Sequence, residues 1–501
     1  MIVAPVDFND IQGLVRFGHG KLTDCSFYLL NIREAAAACA WLAAAPITDA
    51  VTRDEAPQTA LQIAFTREGM QALGVAPDVL AGFSDEFLSG MIGEDNRLRR
   101  LGDVGSNDPQ YWNWGGPGRI PHLLVMLYAR PGQLDGWTQT VKGLQWTSAF
   151  DVLAFLPTSN TVGFEPFGFA DGLSQPALDW PRERNPQGDK LAYSNLIALG
   201  EILLGYPNEY GRYTDRPLLD PTAPSATLLL PAEDVPQKRD LGRNGSYLVL
   251  RQLRQDVTGF WRFVDWQTNS APQARQALAE LMVGRRMKGD PLVPLSEDRI
   301  EGIASPDAAT NRFTFDSDGA GTKCPFGAHI RRANPRNADM PPGTKGFFSW
   351  LLHTFGFGSK KFRDDAIAST RFHRLLRRGR QYGPPIPPEQ VQQVNYPDNI
   401  ERGLYFLALN ANISRQFEFV QGSWVMSTKF SAMTEESDPL LGNRSAVPGC
   451  PFTDTFSLPQ ERGLRTRLTG VPQFVTVRGG AYFFLPSLST IRYLASLTLH
   501  K

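Results

Sequence analysis

The chain has 501 residues, 42% of them hydrophobic, with 51 basic residues balanced by 51 acidic ones. That length and apolar content fill one large core or two to three ordinary ones and exclude a disordered chain, while zero net charge excludes a whole-protein field for nucleic acid or an anionic membrane. Four widely spaced cysteines, Cys25, Cys39, Cys324 and Cys450, lack metal-type spacing and fit reduced thiols better than a disulfide frame.

In chain order, the opening "MIVAPVDFNDIQGLVRF" carries Asp7 and Asp10 and no basic segment followed by an apolar one, so it does not read as a secretory signal. The longest near-apolar run, "AAAACAWLAAAP", is too short to cross a bilayer. The expectation is a soluble, cytoplasmic protein, with export of a processed precursor left open. "CSFYLLNI" (25–32), "ALQIAFT" (60–66) and "HLLVMLYAR" (122–130) predict strands, and "IREAAAACAWLAA" and "REGMQALG" predict helices between them. A polar, proline-rich stretch follows residue 180. Regular patterning resumes with strands at 245–257, 403–413 and 480–487 and a helix at 270–286. The expected organisation is therefore a lobe over 1–180, a connection over 181–244 and a second lobe over 245–501, with no short repeat.

Three stretches concentrate chemistry. "GFADGLSQP" (168–176) pins Asp171 between small residues; a lone Asp-Gly most often marks only a turn, because Gly tolerates φ > 0 and Asp accepts nearby amides. "TKCPFGAHIRRANPR" (322–336) sets His329 within seven residues of Arg331, Arg332 and Arg336. An imidazole for a metal and guanidiniums for carboxylates suit a ligand carrying both, and haem has that composition; the alternative is a solvated basic loop. Between Lys360 and Arg380 stand eight basic residues and two acids, without the interleaved aromatics or groove-reading motif of a nucleic-acid binder. One of these arginines could turn inward to stabilise a developing anion. His19, His122, His353 and His500 have no such company, and "DSDGAG" (316–321) lacks the later ligands of a calcium loop and reads as a turn.

"GFADGLSQP", "CPFGAHIRRANPR", "RLLRRGRQYG", "GLYFLALNANISRQFEFVQ" and "FVTVRGGAYFFLPS" stand in the order and rough spacing of the dye-decolorising peroxidases, and "DIQGLVRFGHG" also resembles that family. The resemblance covers nearly the whole chain, and the "RRGxxYG" form is similar to the family's long-chain branch. It implies an α+β fold of two ferredoxin-like lobes with antiparallel sheets, of the dimeric α+β barrel type, with haem b in the C-terminal lobe. It implies a peroxidase that reduces hydrogen peroxide and oxidises bulky aromatic donors, dyes and phenolics, by one-electron steps, with no nucleic-acid or membrane partner.

Carried over by motif, His329 is the iron ligand, Asp171 and Arg377 are catalytic on the opposite face, and Leu404 and Phe406 line that pocket as alternate residues of one strand. Arg332, with Arg336 behind it, is the expected partner of the haem propionates. Asp438 is a candidate acceptor for the far nitrogen of His329. A carboxylate base, which ordinarily titrates at ~3.9 against ~6.5 for imidazole, implies a more acidic optimum than in histidine-based peroxidases. The rival reading is a non-catalytic haem-sensing or haem-carrying protein using the Cys324-Pro325 or Cys450-Pro451 dipeptide as a thiolate ligand. The oligomeric state and the physiological reductant stay open.

Overall fold

The computed structural model describes every residue except 1–4, 144, 160–162, 185–192, 298, 305–306, 338–369, 394–399 and 498–501. His353 and His500 lie outside the described residues, as does the first half of the basic stretch.

The first lobe is built from β1 (Asp24–Ile32), α1 (Ala35–Ala44), β2 (Thr59–Phe65), β3 (Leu123–Ala129), α2 (Leu134–Lys142) and β4 (Phe150–Pro157). The strands pair antiparallel in the order β4-β1-β3-β2. The second lobe contains β5 (Ser246–Gln255), α3 (Val257–Gln267), α4 (Pro272–Val283), α5 (His329–Ala333), the short β6 (Leu376–Arg377) and β7 (Arg380–Tyr382), β8 (Gly403–Asn410), β9 (Val475–Leu485) and α6 (Leu488–Ser496). Its order is β9-β5-β8, with β6 and β7 both on the free side of β8. Taking β6 and β7 as one interrupted strand, both lobes have spatial order 4-1-3-2, the ferredoxin-like arrangement.

Local chemistry explains the element ends. The Asp256 carboxylate accepts the Gly259 amide at 2.9 Å and starts α3, and the Ser487 hydroxyl accepts the Thr490 amide at 3.1 Å and starts α6. The helix expected over 270–286 stops at Val283, because Gly284 takes φ +98° and turns the chain. Helix α3 was not anticipated; its sequence "VTGFWRFVDWQ" is rich in aromatic and β-branched residues, which carry little helix propensity.

The two half-sheets close on one another. At one seam Phe484 of β9 pairs with Phe65 of β2, and at the other the Ser159 amide, just past β4, donates to Gln381 O in β7 at 2.9 Å. Between them lies one apolar interior holding Phe27 and Leu29 of β1, Met126 and Tyr128 of β3, Leu248 and Leu250 of β5, Tyr405 and Leu407 of β8, and Phe483 of β9. Phe27 spans it, with ring centroids 6.0 Å from both Tyr128 and Tyr405. The opposite sheet faces carry the helices, and α6 returns from the second lobe to pack on α1, where the Cys39 thiol meets Leu494 O. Among the described residues, no helix is long and apolar enough to cross a membrane.

Between the lobes the chain forms two-residue ladders, including Leu218–Leu219 with Arg239–Asp240. Ion pairs hold it: Arg216 contacts Asp240 and Asp234, and Glu233 receives both Arg182 and Arg243.

Phe27→Ala opens a cavity where the two lobes meet and should cost about 3–5 kcal/mol. Urea unfolding should show a lowered midpoint with loss of both lobes in one transition; a lobe that unfolds separately at the wild-type midpoint would contradict a shared interior.

Candidate functional site

The loop after β4 leaves the first lobe and lies against the second. Phe167 and Phe169 are buried, with the Phe167 ring 4.8 Å from Phe260 and its carbonyl taking the Trp261 indole N–H at 3.2 Å. Phe164 and Ala170 pair across the loop, the Ala170 amide donates to Met287 O at 2.8 Å, and the Asp171 amide to Gly163 O at 3.0 Å. Gly168 sits at φ +94°, and a Cβ there would stand 2.6 Å from the Val391 side chain, so only glycine fits this bend. Every backbone contact of the loop therefore converges on the placement of Asp171.

Asp171 Oδ1 accepts the Gly172 amide at 2.6 Å and stands 3.5 Å from Arg377 Nη1. Both side chains stay open, 41% and 37% exposed. The same loop fixes the arginine. The Arg377 amide donates to Gln175 Oε1 at 2.9 Å, and its Nη2 to Ser174 O at 3.3 Å. Arg377 pairs directly with Ala408 of β8, so strand alternation puts it on the same face as Phe406 and Leu404. Both are partly buried, while Tyr405 and Leu407 between and beyond them point into the closed interior. The four residues expected on one side of the pocket thus share one sheet face and its covering loop.

His329 begins α5. Its preceding loop is tied down by Asp318, the "DSDGAG" acid, whose carboxylate accepts the Lys323 and Cys324 amides and pairs with Arg331 at 2.9 Å. This is the turn the sequence predicted. Asp438, fully buried, meets His329 Nδ1 at 2.9 Å and accepts the Leu440 and Leu441 amides. With Nδ1–H committed to Asp438, Nε2 carries the free lone pair. Burial alone would lower the imidazole pKa, but the Asp438 charge and hydrogen bond outweigh it and raise the value; Arg377 and Asp171 are the next charges it feels. Burial would raise the Asp438 carboxyl, yet His329, Arg332 and the amides hold it below the usual range.

Arg332 departs from expectation. It is completely buried, and its guanidinium donates to the carbonyls of Gly327, Trp424, Ser427 and Glu436. Gly327 belongs to the loop before His329, Trp424 to the unanticipated π-helical turn Val420–Val425, and Ser427 and Glu436 to the segment after it. Four carbonyls thus take up the guanidinium, whose charge also acts on Asp438, the partner of His329. Arg336, also buried, donates to Asn311 O and Phe313 O, and its Nε has no hydrogen-bond partner among the described residues.

Two arginines that sequence reasoning missed accompany Arg336. Arg285 donates to Gly289 O and to Asn311 and is pulled down to about 9, first by burial and then by the charges of Arg336 and Arg377. Arg374 donates to the Tyr193 hydroxyl and to Asn195 Oδ1, both at 2.7 Å. Burial would push the Tyr193 phenol up, but Arg336 and Arg374 bring it down to about 8. Among the described residues no carboxylate lies within ion-pair distance of Arg285, Arg336 or Arg374. Uncompensated buried cations of this kind call for an anionic ligand.

Cys324 packs among Val293, Phe313, Phe315 and Ala328, and burial pushes its thiol up to about 12. That environment is inert and unlike one that presents a thiolate. Cys450 is buried with its thiol at Phe452 O.

The chain is 30% identical to the dye-decolorizing peroxidase msp1 of Mycetinis scorodonius over 99% of its own length and 88% of that protein's. This likeness decides the family. The chain belongs to the dye-decolorising peroxidases. It is also 28% identical to the multifunctional dye peroxidase DyP2 of an Amycolatopsis species, over 87% of this chain and 82% of that one. The crystal structure of a decolorizing peroxidase from Auricularia auricula-judae superposes with a TM-score of 0.70 at 24% identity, over 98% of this chain and all of that one. No family model matches the sequence. For this peroxidase the fold expectation of two ferredoxin-like lobes is met by the chain itself.

The His329–Asp438 pair has opposite pH signatures for its two members. The imidazole's raised pKa contributes stability that is full below its unfolded value of ~6.5 and lost as pH rises through the native one; the carboxyl's lowered pKa contributes stability present above ~3.9 and lost as pH falls. In the ligand-free protein, Asp438→Asn should let burial act unopposed and drop the His329 pKa below ~6.5. An NMR titration of the imidazole checks this, and an unmoved midpoint would show that the pair does not control the ring.

Proposed function

We propose that this peroxidase binds haem b through His329, with Asp171 and Arg377 as its acid–base and electrostatic groups, and reduces hydrogen peroxide while drawing single electrons from aromatic donors. The observation that carries the reading is the opposition of two half-sites: a histidine with a free Nε2 and a buried carboxylate behind it, facing a carboxylate and a guanidinium 3.5 Å apart.

The residues present fit that cofactor. Nε2 suits an iron, and Asp438 raises its basicity. Arg285, Arg336 and Arg374, lacking carboxylate partners of their own, suit the two propionates. Leu404 and Phe406 offer an apolar wall. Bound haem supplies the metal that takes up peroxide and the electrons that break its O–O bond.

The rest of the chemistry belongs to side chains. Hydrogen peroxide needs a base to take the proton from its inner oxygen and an acid to give that proton to the outer oxygen, which leaves as water; Asp171, held by backbone and open on one side, does both in turn. Arg377 supplies a fixed positive charge for the oxygen that departs, and its place in a β-ladder means no reorganisation is needed at the moment of cleavage. Leu404 and Phe406 wall the site on one side, and bulky donors would deliver electrons from outside it. The sensor or carrier reading loses its basis with Cys324 buried in an apolar cluster.

Stopped-flow absorbance of the haem-loaded protein mixed with peroxide should show a fast change in the wild type. Asp171→Asn and an Arg377→Leu change should each slow it by about 10²-fold or more, with the resting spectrum unchanged. The acid limb of the wild-type pH–rate profile should flatten in Asp171→Asn. A limb shared by both proteins would remove Asp171 from the proton transfer.

A further inference from the structure

We propose that Glu165 is the positioning residue of the acid–base step: its carboxylate clamps the loop amides that set where Asp171 stands. The proposal rests on the reading of Asp171 as the proton-transfer group.

Asp171 has little of its own to hold it. Apart from the adjacent Gly172 amide, its carboxylate meets only the long contact to Arg377 among the described residues, so its place is dictated by the backbone that carries it. That backbone is gripped at Glu165. One carboxylate oxygen accepts the Phe167 amide and the other the Phe169 amide, each at 3.0 Å. The Glu165 amide donates to Phe169 O at 2.8 Å, and its carbonyl accepts the Gly168 amide at 2.8 Å. One residue thus makes four bonds across residues 165–169, ending two positions before Asp171.

The clamp is anchored to the sheet. Gln255 Nε2, at the end of β5, donates to Glu165 Oε2 at 2.7 Å, and Gln255 lies on the same β5 face as Leu253, which pairs with Leu404. Glu165 therefore ties the loop to the strand face that walls the pocket.

Holding a carboxylate here is costly. Burial pushes it up to about 7, the amides of Phe167 and Phe169 and the Gln255 amide pull it down, and the charge of Asp171 pushes it up again. Among the described residues no cation stands within ion-pair distance of it. A glutamine of the same shape would turn an amide donor toward one of the two backbone N–H groups and release it. An acid with three donors, no counter-charge and a charged neighbour is better explained by geometry than by stability.

The test is a double-mutant cycle on the haem-loaded protein. Glu165→Gln alone should slow the reaction with peroxide about 10–100-fold, as expected for a misplaced reacting group, while the resting haem spectrum stays that of the wild type. In the Asp171→Asn background the same change should alter the rate less than about twofold, because the group it positions is gone. Gln255→Leu, which removes one of the two donors to Glu165 Oε2, should act in the same direction with smaller size and guards against a Glu165 variant that fails to fold. Independently of turnover, amide hydrogen exchange at Phe167 and Phe169 should rise in Glu165→Gln. Equal slowing in both backgrounds, or a wild-type rate with unprotected amides, overturns the proposal. If Asp171→Asn itself reacts at the wild-type rate, the acid–base reading fails first and the positioning role falls with it.

Discussion

Packing of Phe27 against Tyr405 inside a barrel closed at two seams fixes the register of Gly403–Asn410, and that register decides what reaches the site. Because side chains alternate with period two, sending Tyr405, Leu407 and Leu409 into the shared interior sends Leu404, Phe406 and Ala408 outward. A slip of one residue would exchange the sets, burying the pocket wall and turning Tyr405, Leu407 and Leu409 out of the interior. Arg377 inherits the constraint through its pairing with Ala408. The first lobe, which contributes no strand to the site, is thereby part of its construction: it supplies half of the interior against which the register is set.

The two sides of the site are held by different means. Asp171 and Arg377 are placed by backbone hydrogen bonds and a ladder and remain open to the pocket, as groups that exchange protons or meet a transient charge must be. His329 is placed by a buried carboxylate that has its own amide donors and feels the charge of Arg332. The charge balance follows this division. Asp438 is compensated within the protein, whereas Arg285, Arg336 and Arg374 are not, so the positive potential that lowers Tyr193 to about 8 is left for a ligand to neutralise.

What the sequence made legible were features that local physics decides alone. Alternating apolar runs located β1, β2, β3, β5, β8 and β9, whereas the Asp-Gly and His-Arg-Arg blocks stood out as site candidates only through their resemblance to the dye-decolorising peroxidases. Asp438, 109 positions from His329, was readable only as a candidate, because an acid before proline is equally a turn residue and Glu435 and Glu436 stand beside it. Arg332 and Arg336 show where such reasoning stops. Both look alike beside the histidine, yet one meets four carbonyls, three of them from residues 424–436, and the other lies beside Arg374 and Tyr193. Guanidinium partners are set by which distant segments fold alongside, and no local pattern encodes them. Arg285 and Arg374 were invisible for the same reason.

Glu165 is the instructive intermediate case. It stands in the run "TVGFEPF" immediately before the Asp-Gly block, so its nearness to Asp171 was readable, but an acid in a turn is usually a solvated one. What distinguishes it is tertiary: the loop is pressed onto Phe260 and Trp261, which removes the water that would otherwise satisfy the Phe167 and Phe169 amides and leaves the carboxylate as their acceptor. Desolvation makes those bonds expensive to lose as well as costly to form. A loop stabilised in this way is held at the residues leading into Asp171 by bonds to Glu165, while the Asp171 side chain itself stays open.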